Sequence, residues 1–313
     1  MTGAAVQQLP AWGAVAAVLA LVAVALTAAM ADGVLTARAE GRRGGGLAPV
    51  HEAARLLRQR RRTTLAADTV LRQTGVIGLV VAAAMKVAVL PAGGWVVSDL
   101  NVGLVWFNAM DVLVWAFVWL AGWGPNSVFP LVGGYRFLAL VLAYELPLMF
   151  ALTAPAVAAG SLRMSDIVAA QDGLWFVVSM PVAFVVFLAA VLAFSLQRPF
   201  TAPISADLAG GVLAELSGVD RLLLLAGRYS LLAAGSGFAV DLFLGGGSGP
   251  WLPRWFWFLT KTFALLWLLV ALRRRIPQLR PEQLMAPAWV VGLPLVLLQV
   301  LVVSIISLNG RGS

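Results

Sequence analysis

Cysteine is absent from this 313-residue chain, and histidine occurs once, at His51. Without thiolates the chain carries no disulfide, no cysteine-ligated cluster and no cysteine redox chemistry, and a single imidazole excludes a multi-histidine haem or zinc site. Any electron carriers of the system therefore belong to another subunit. Charge is scarce as well: Asp, Glu, Lys and Arg make up 12% of the residues against 61% hydrophobic. A soluble domain is only about half apolar, so this composition predicts an all-α, polytopic membrane protein. One integral membrane domain is expected over residues 1–313.

What the chain does have is eight long apolar runs, at 12–31, 75–91, 102–123, 135–157, 173–195, 221–245, 255–272 and 287–308. Each is near the ~20 residues that cross ~30 Å of hydrocarbon as a helix. Inside lipid no water satisfies the peptide groups, so helix is the expected conformation of every run. The alternative for the first run is a cleaved signal peptide ending at Ala29-Met30-Ala31. Residues 1–11 carry no Lys or Arg and the run is long enough to span, which favours a helix that stays.

Basic residues set the orientation. Nine arginines lie between Arg38 and Arg72, and Arg273, Arg274, Arg275 and Arg280 cluster in the last connection. By the positive-inside rule the loops at about 32–74, 196–220 and 273–286 are expected in the cytoplasm, with both termini outside a cell membrane. The formal charge of +8 thus matches anionic lipid headgroups as partners, and nucleic acid is not an expected partner.

Within the first basic loop, Leu47, Val50, Ala54 and Leu57 recur at helical spacing while arginines fill the other face. That pattern predicts a helix lying in the membrane surface over 47–62. Gly44-Gly45-Gly46 lacks the strand and the Gly-Lys-Ser/Thr sequence of a phosphate loop. Trp106, Trp115, Trp119 and Trp123 on the third run, with Trp251, Trp255 and Trp257 near the seventh, read as interfacial belts and lipid-facing packing. No internal repeat of the kind seen in many secondary transporters is evident.

Two acids, Glu145 and Asp111, fall inside apolar runs. A charge at mid-bilayer costs roughly 2.5–3.5 kcal/mol on insertion scales, so an acid there marks an ion or proton path, or a cofactor site, the competing reading being an ion pair that holds helices together. Glu145 lies about 15 Å along a helix from Tyr135, close to mid-membrane. Arg136 and Arg228 are its candidate partners, and Lys86 and Lys261 are those of Asp111. Asp166 reads as a helix cap in an outer loop.

Several motifs occur in a fixed order: SDLNVG from Ser98, GWGPNS from Gly122, LVGGYRF from Leu131, AYELPL from Ala143, and AGSLRMSDIVAAQ from Ala159. FLGGGSGPWLP from Phe243, Lys261 and RRRIPQLRPEQLM from Arg273 follow. In order and spacing the chain resembles the H subunit of the proton-pumping NADH-quinone oxidoreductases, the complex I family, and the resemblance covers nearly its whole length. It implies an eight-helix subunit at the heel of a membrane arm, walling the quinone chamber and starting the proton path. FMN and iron–sulfur clusters are then expected only in partner subunits, with quinone as substrate and other membrane-arm and peripheral-arm subunits as partners. The neighbouring alternative is the membrane subunit of an energy-converting or formate-linked hydrogenase.

Carried over by motif, the resemblance assigns Arg136 and Glu145 to the proton path. It assigns Pro49, Glu52 and Arg55 to the first-loop stretch, where the family has Asp for Glu52 and Lys for Arg55. Arg42, Arg198 and Phe200 are further candidates along the quinone passage. The stretch from Gln197 to Gly218 departs from the family pattern: Thr201, Ile204 and Ala206 stand at acidic positions, and Arg228 replaces another acid. Asp207 and Glu215 survive as coupling candidates, joined by Asp111 and Lys261. A paralogue that only anchors and scaffolds a peripheral module is the alternative that this thinned loop favours.

Overall fold

The computed structural model of the chain describes residues 6–205 and 210–311. Its long helices are α1 (Gly13–Ala39), α3 (Thr69–Val87), α4 (Gly103–Trp123), α5 (Val128–Ala159), α9 (Gly218–Phe243), α10 (Arg254–Leu272) and α12 (Leu293–Arg311). Shorter ones are α2 (Ala48–Arg58), α6 (Met164–Ala169), α7 (Phe176–Ser179), α8 (Pro181–Phe194) and α11 (Pro281–Pro287). A single turn of π-helix, Ala288–Gly292, joins α11 to α12. Among the described residues seven helices are long and apolar enough to cross a membrane, the last running over Gln283–Leu308.

The run at 173–195 differs from the single helix expected. It is split at Met180, whose φ of −131° and ψ of 53° leave the helical region. Pro181 follows, and a proline pushes the preceding residue out of the α region while lacking an N–H of its own. Together Phe176 to Phe194 still cover about 28 Å at the helical rise.

Loop contacts sort the connections into two ends. At one, the strand β1 (Gln7–Gln8) pairs in parallel with β2 (Trp95–Val96), Arg163 donates to Asn101, and Trp175 Nε1 donates to Ser248 Oγ at 3.2 Å. At the other, Asp68 N donates to Gly124 O at 2.8 Å and Leu279 N to Pro199 O at 2.9 Å, while Arg62 N donates to Ser217 Oγ at 2.7 Å. Successive connections alternate between these ends, and the split pair α7–α8 runs from one end to the other as the long helices do. Both arginine-rich loops gather at the second end, called here the basic end.

Local chemistry fixes the helix limits. Asp68 caps α3 by accepting from the N–H groups of Val70 and Leu71 at 2.9 and 3.0 Å. At the far end of α5, Gly160 takes the left-handed conformation that ends a helix, with φ of 66°. Helices α3, α4 and α9 form the centre, with α5 packed on α4, α8 and α12. At Gly75 a Cβ would run into the backbone of Ala121, so the absence of a side chain sets how closely α3 approaches α4. Phe107 of α4 and Phe238 of α9 stack with ring centroids 4.0 Å apart.

Candidate functional site

The apolar centre of the bundle encloses a cluster of ionisable groups. Lys86 of α3 lies 2.8 Å from Asp111 Oδ1 of α4, and neither side chain is exposed. The ammonium also sits over the rings of Phe107 and Phe194, at 4.0 and 3.9 Å, a placement that favours a desolvated cation. Glu145, on α5, interacts electrostatically with both Lys86 and Asp111 and neighbours Asn108. Asp111 Oδ2, Glu145 Oε2 and the hydroxyl of Tyr144 are buried without a hydrogen-bond partner.

Pro147 lies inside α5 two residues beyond Glu145. Having no N–H, it releases the Ala143 carbonyl from the helix ladder beside the cluster. Two acids and one ammonium leave one carboxyl in excess. In a low-dielectric interior that excess is tolerated only if it is neutralised, and a proton is the smallest neutralising group.

The partners expected for Glu145 are elsewhere. Arg136 is nine residues away on the same helix, about 14 Å by helical rise, and donates to the carbonyl of Gly210 at 2.8 Å. Arg228 is buried and donates to the carbonyl of Leu196. Of the two cations considered for Asp111, the structure selects Lys86. Lys261 sits at the end opposite the basic loops, donating to the carbonyls of Leu244, Gly246 and Ser248 at 2.7, 3.0 and 2.8 Å.

A second charged layer lies at the basic end. Asp32 of α1 accepts from Arg273 at 2.6 Å, from Arg274, and from Tyr229 Oη at 2.9 Å. Burial opposes the Arg273 charge, but Asp32 and Tyr229 outweigh it and hold its guanidinium above its ordinary range. Arg273 also donates to Gln197. Asp220, buried at the start of α9, pairs with Arg61 at 3.2 Å and Arg72 at 3.3 Å. Glu215 accepts from Ser127 Oγ at 3.2 Å, tying the loop before α9 to the start of α5. Asp207 lies outside the described residues.

The passage candidates divide by exposure. Arg42 pairs with Glu40, and Arg55 with Glu52 at 2.6 Å, both on the surface. Hydrogen bonding from Arg55 lowers the Glu52 carboxyl below its ordinary value. Pro49 packs at the crossing of α1, near Gly33. Arg198 is exposed, whereas Phe200 and Ile204 are buried in the core. Helix α2 buries Leu56 against the bundle and leaves Leu47, Val50 and Leu57 exposed, an apolar face suited to acyl chains. In the outer loop Asp166, in the first turn of α6, accepts from Ser161 Oγ at 2.7 Å, and Arg163 rather than Asp166 stands at the N-cap, with no side-chain cap hydrogen bond, so the expected capping role is not what the structure shows.

Asp32, Asp220 and Asp241 are acids held within the bundle that the sequence alone does not single out. Asp241 stands in an uninterrupted apolar stretch, the same signal that marks Asp111. Asp32 reads as a loop residue from hydropathy, because the first helix runs eight residues beyond 31, to Ala39, and Asp220 resembles an ordinary acid in a first helical turn.

A family model described as NADH dehydrogenase matches residues 13–304. The H subunit 1 of NADH-quinone oxidoreductase from Geobacter metallireducens is 42% identical over 207 residues, covering 66% of this chain and 63% of that protein. The H subunit 2 of the same enzyme from Geobacter sulfurreducens is 42% identical over 207 residues with the same coverage. The H subunit 2 from Rhodopseudomonas palustris is 39% identical over 214 residues, 68% of this chain and 67% of that protein. The chain thus spans less than two thirds of the length of the Geobacter relatives.

Proposed function

The chain belongs to the NADH dehydrogenase family, and on that premise we propose that it is a membrane subunit of a complex I-like NADH-quinone oxidoreductase. It forms part of the quinone-binding chamber and of the proton path, while NADH, FMN and the iron–sulfur clusters are handled by partner subunits of the membrane and peripheral arms. The observation that carries this reading is the buried Lys86–Asp111–Glu145 cluster. A simple structural pair needs one acid and one base; here a second acid shares the site, which leaves a carboxyl able to take up and release a proton.

The basic end faces the cytoplasm of the cell in this reading, because arginines are retained there and anionic headgroups attract them. Quinone enters from the membrane beside α2, whose exposed Leu47, Val50 and Leu57 suit an isoprenoid tail. Arg42, Pro49, Glu52, Arg55, Arg198 and Phe200 border its route, with Glu215 toward the inner end. Arg136 and Glu145 connect that end to the membrane centre.

A second reading, a scaffold that holds a peripheral module without handling quinone, is favoured by the burial of Phe200 and Ile204 in the core. The distinguishing experiment is affinity purification of the tagged protein from its own membranes, followed by photolabelling with an azidoquinone. Co-purification of a flavin-containing NADH-oxidising subunit and labels within 42–62 or 197–229 are expected. Labels confined to partner subunits would leave the scaffold role, and a nickel–iron large subunit in the preparation would replace NADH as the electron source.

A further inference from the structure

Asp241 lies in the last turn of α9, fully buried, and both of its carboxylate oxygens lack a hydrogen-bond partner. That is an unfavourable position for a negative charge, since the C-terminal end of a helix presents its carbonyls and the negative pole of its dipole. Among the described residues Lys261, from α10, is the charged group that acts on it. Yet the Lys261 ammonium is caged by the carbonyls of Leu244, Gly246 and Ser248 and packed 4.1 Å from the Trp175 ring, and it makes no hydrogen bond to Asp241. From the α6 side the neighbours are neutral: Val168, and Gln171, whose amide donates to the main-chain oxygen of Asp241 at 2.7 Å.

A polar cavity of about 380 Å³ opens at this end of the bundle. Its charged lining is Asp99, Asp166 and Asp172 together with Arg163 and Arg254, Arg163 lying 3.8 Å from Asp99, and its wall toward α9 includes Val168, Gly245 and Gly247. Between that wall and Asp241 stands Gly246, where a Cβ would lie 2.7 Å from Asp241 Oδ1 and 3.0 Å from Val168. The partition is therefore a ribbon of glycine peptides without side chains, latched by Gln171, which accepts from Gly245 N at 2.8 Å.

We propose that Asp241 is a proton-binding site served by this cavity, taking up and releasing protons at the end of the bundle opposite the basic loops. Its role in moving protons rests on the proposed proton path; its accessibility to protons does not. The step is a protonation only: the carboxylate gains one proton from cavity water and becomes the neutral acid. No other bond changes, and the net charge of Asp241 with Lys261 goes from zero to plus one. Lys261 stays in its carbonyl cage throughout, so the charge change is confined to the carboxyl.

The test is labelling of the assembled complex in sealed membrane vesicles with dicyclohexylcarbodiimide, an apolar reagent that reacts with protonated carboxyls, followed by peptide mapping. Modification of Asp241 is expected, rising as the compartment facing the cavity is acidified. An unmodified Asp241, or labelling indifferent to that pH, would overturn the proposal. In the same vesicles Asp241→Asn should lower the protons moved per NADH oxidised by roughly twofold or more, and a full ratio would equally overturn it. If Asp241→Asn fails to assemble, labelling of the unaltered complex decides. If the unaltered complex oxidises no NADH, the complex I-like reading fails while the labelling still reports on Asp241.

Discussion

Lys86 and Asp111 join α3 to α4 by an ion pair of 2.8 Å, with neither side chain exposed. Removing one partner of such a pair leaves a buried charge alone, at a cost of about 3–5 kcal/mol, whereas replacing both with apolar groups is close to neutral. Lys86→Met and Asp111→Leu should each sharply reduce the folded protein recovered from membranes, and the double substitution should restore most of it. Detergent-solubilised thermal unfolding measures this. Losses that simply add in the double variant would show that the pair is not energetically coupled.

Glu145→Gln keeps the shape of the side chain and removes its proton. The subunit should still assemble, because Lys86 keeps Asp111, while proton movement per electron falls severalfold, as expected of a buried acid on a proton path. Vesicle acidification driven by NADH is the assay. Undiminished acidification in an assembled complex would reject Glu145 as a proton carrier.

The arginine loops at the basic end should both lie in the cytoplasm. Alkaline phosphatase, active only after export, should be inactive when fused after Arg62 or after Arg280, and active when fused within 92–101. Activity at either arginine loop would contradict the orientation.

Helix α2 should behave as a surface helix even in isolation. A peptide of residues 47–62 is expected to become helical on anionic vesicles and to detach as salt screens an attraction of about 1 kcal/mol per arginine. Because the Glu52 carboxyl is lowered by Arg55, the contribution of this pair is present above the ordinary carboxylate value. It is lost as the pH falls through the lowered one. Circular dichroism should therefore show a small loss of helix only in acid, absent in Glu52→Gln. The effect is small because both groups are exposed. A peptide that stays unstructured on the vesicles would refute the surface-helix assignment.

The hydrophobic runs were legible because bilayer thickness and peptide hydrogen bonding leave the chain few alternatives. Their limits were less so. Helix α5 begins at Val128 and α1 runs on to Ala39, beyond the limits at 135 and 31 read from hydropathy, because the backbone hydrogen-bond ladder continues where the apolar run stops. Glu145 and Asp111 stood out by cost alone. That they converge on Lys86, a cation with no motif around it, follows from the crossing of α3, α4 and α5.

Composition by itself determined the class of protein and the clustering of positive charge, both consequences of the solvent in which the chain resides. The motif order determined the family. Tertiary structure alone decided which charges meet: Asp111 with Lys86 rather than Lys261, Asp32 with Arg273 and Arg274, Asp220 with Arg61 and Arg72. Ion pairing in a bundle depends on helix rotation and depth, and those are set by small-residue contacts such as Gly75 against Ala121, which a single sequence does not pair with one another.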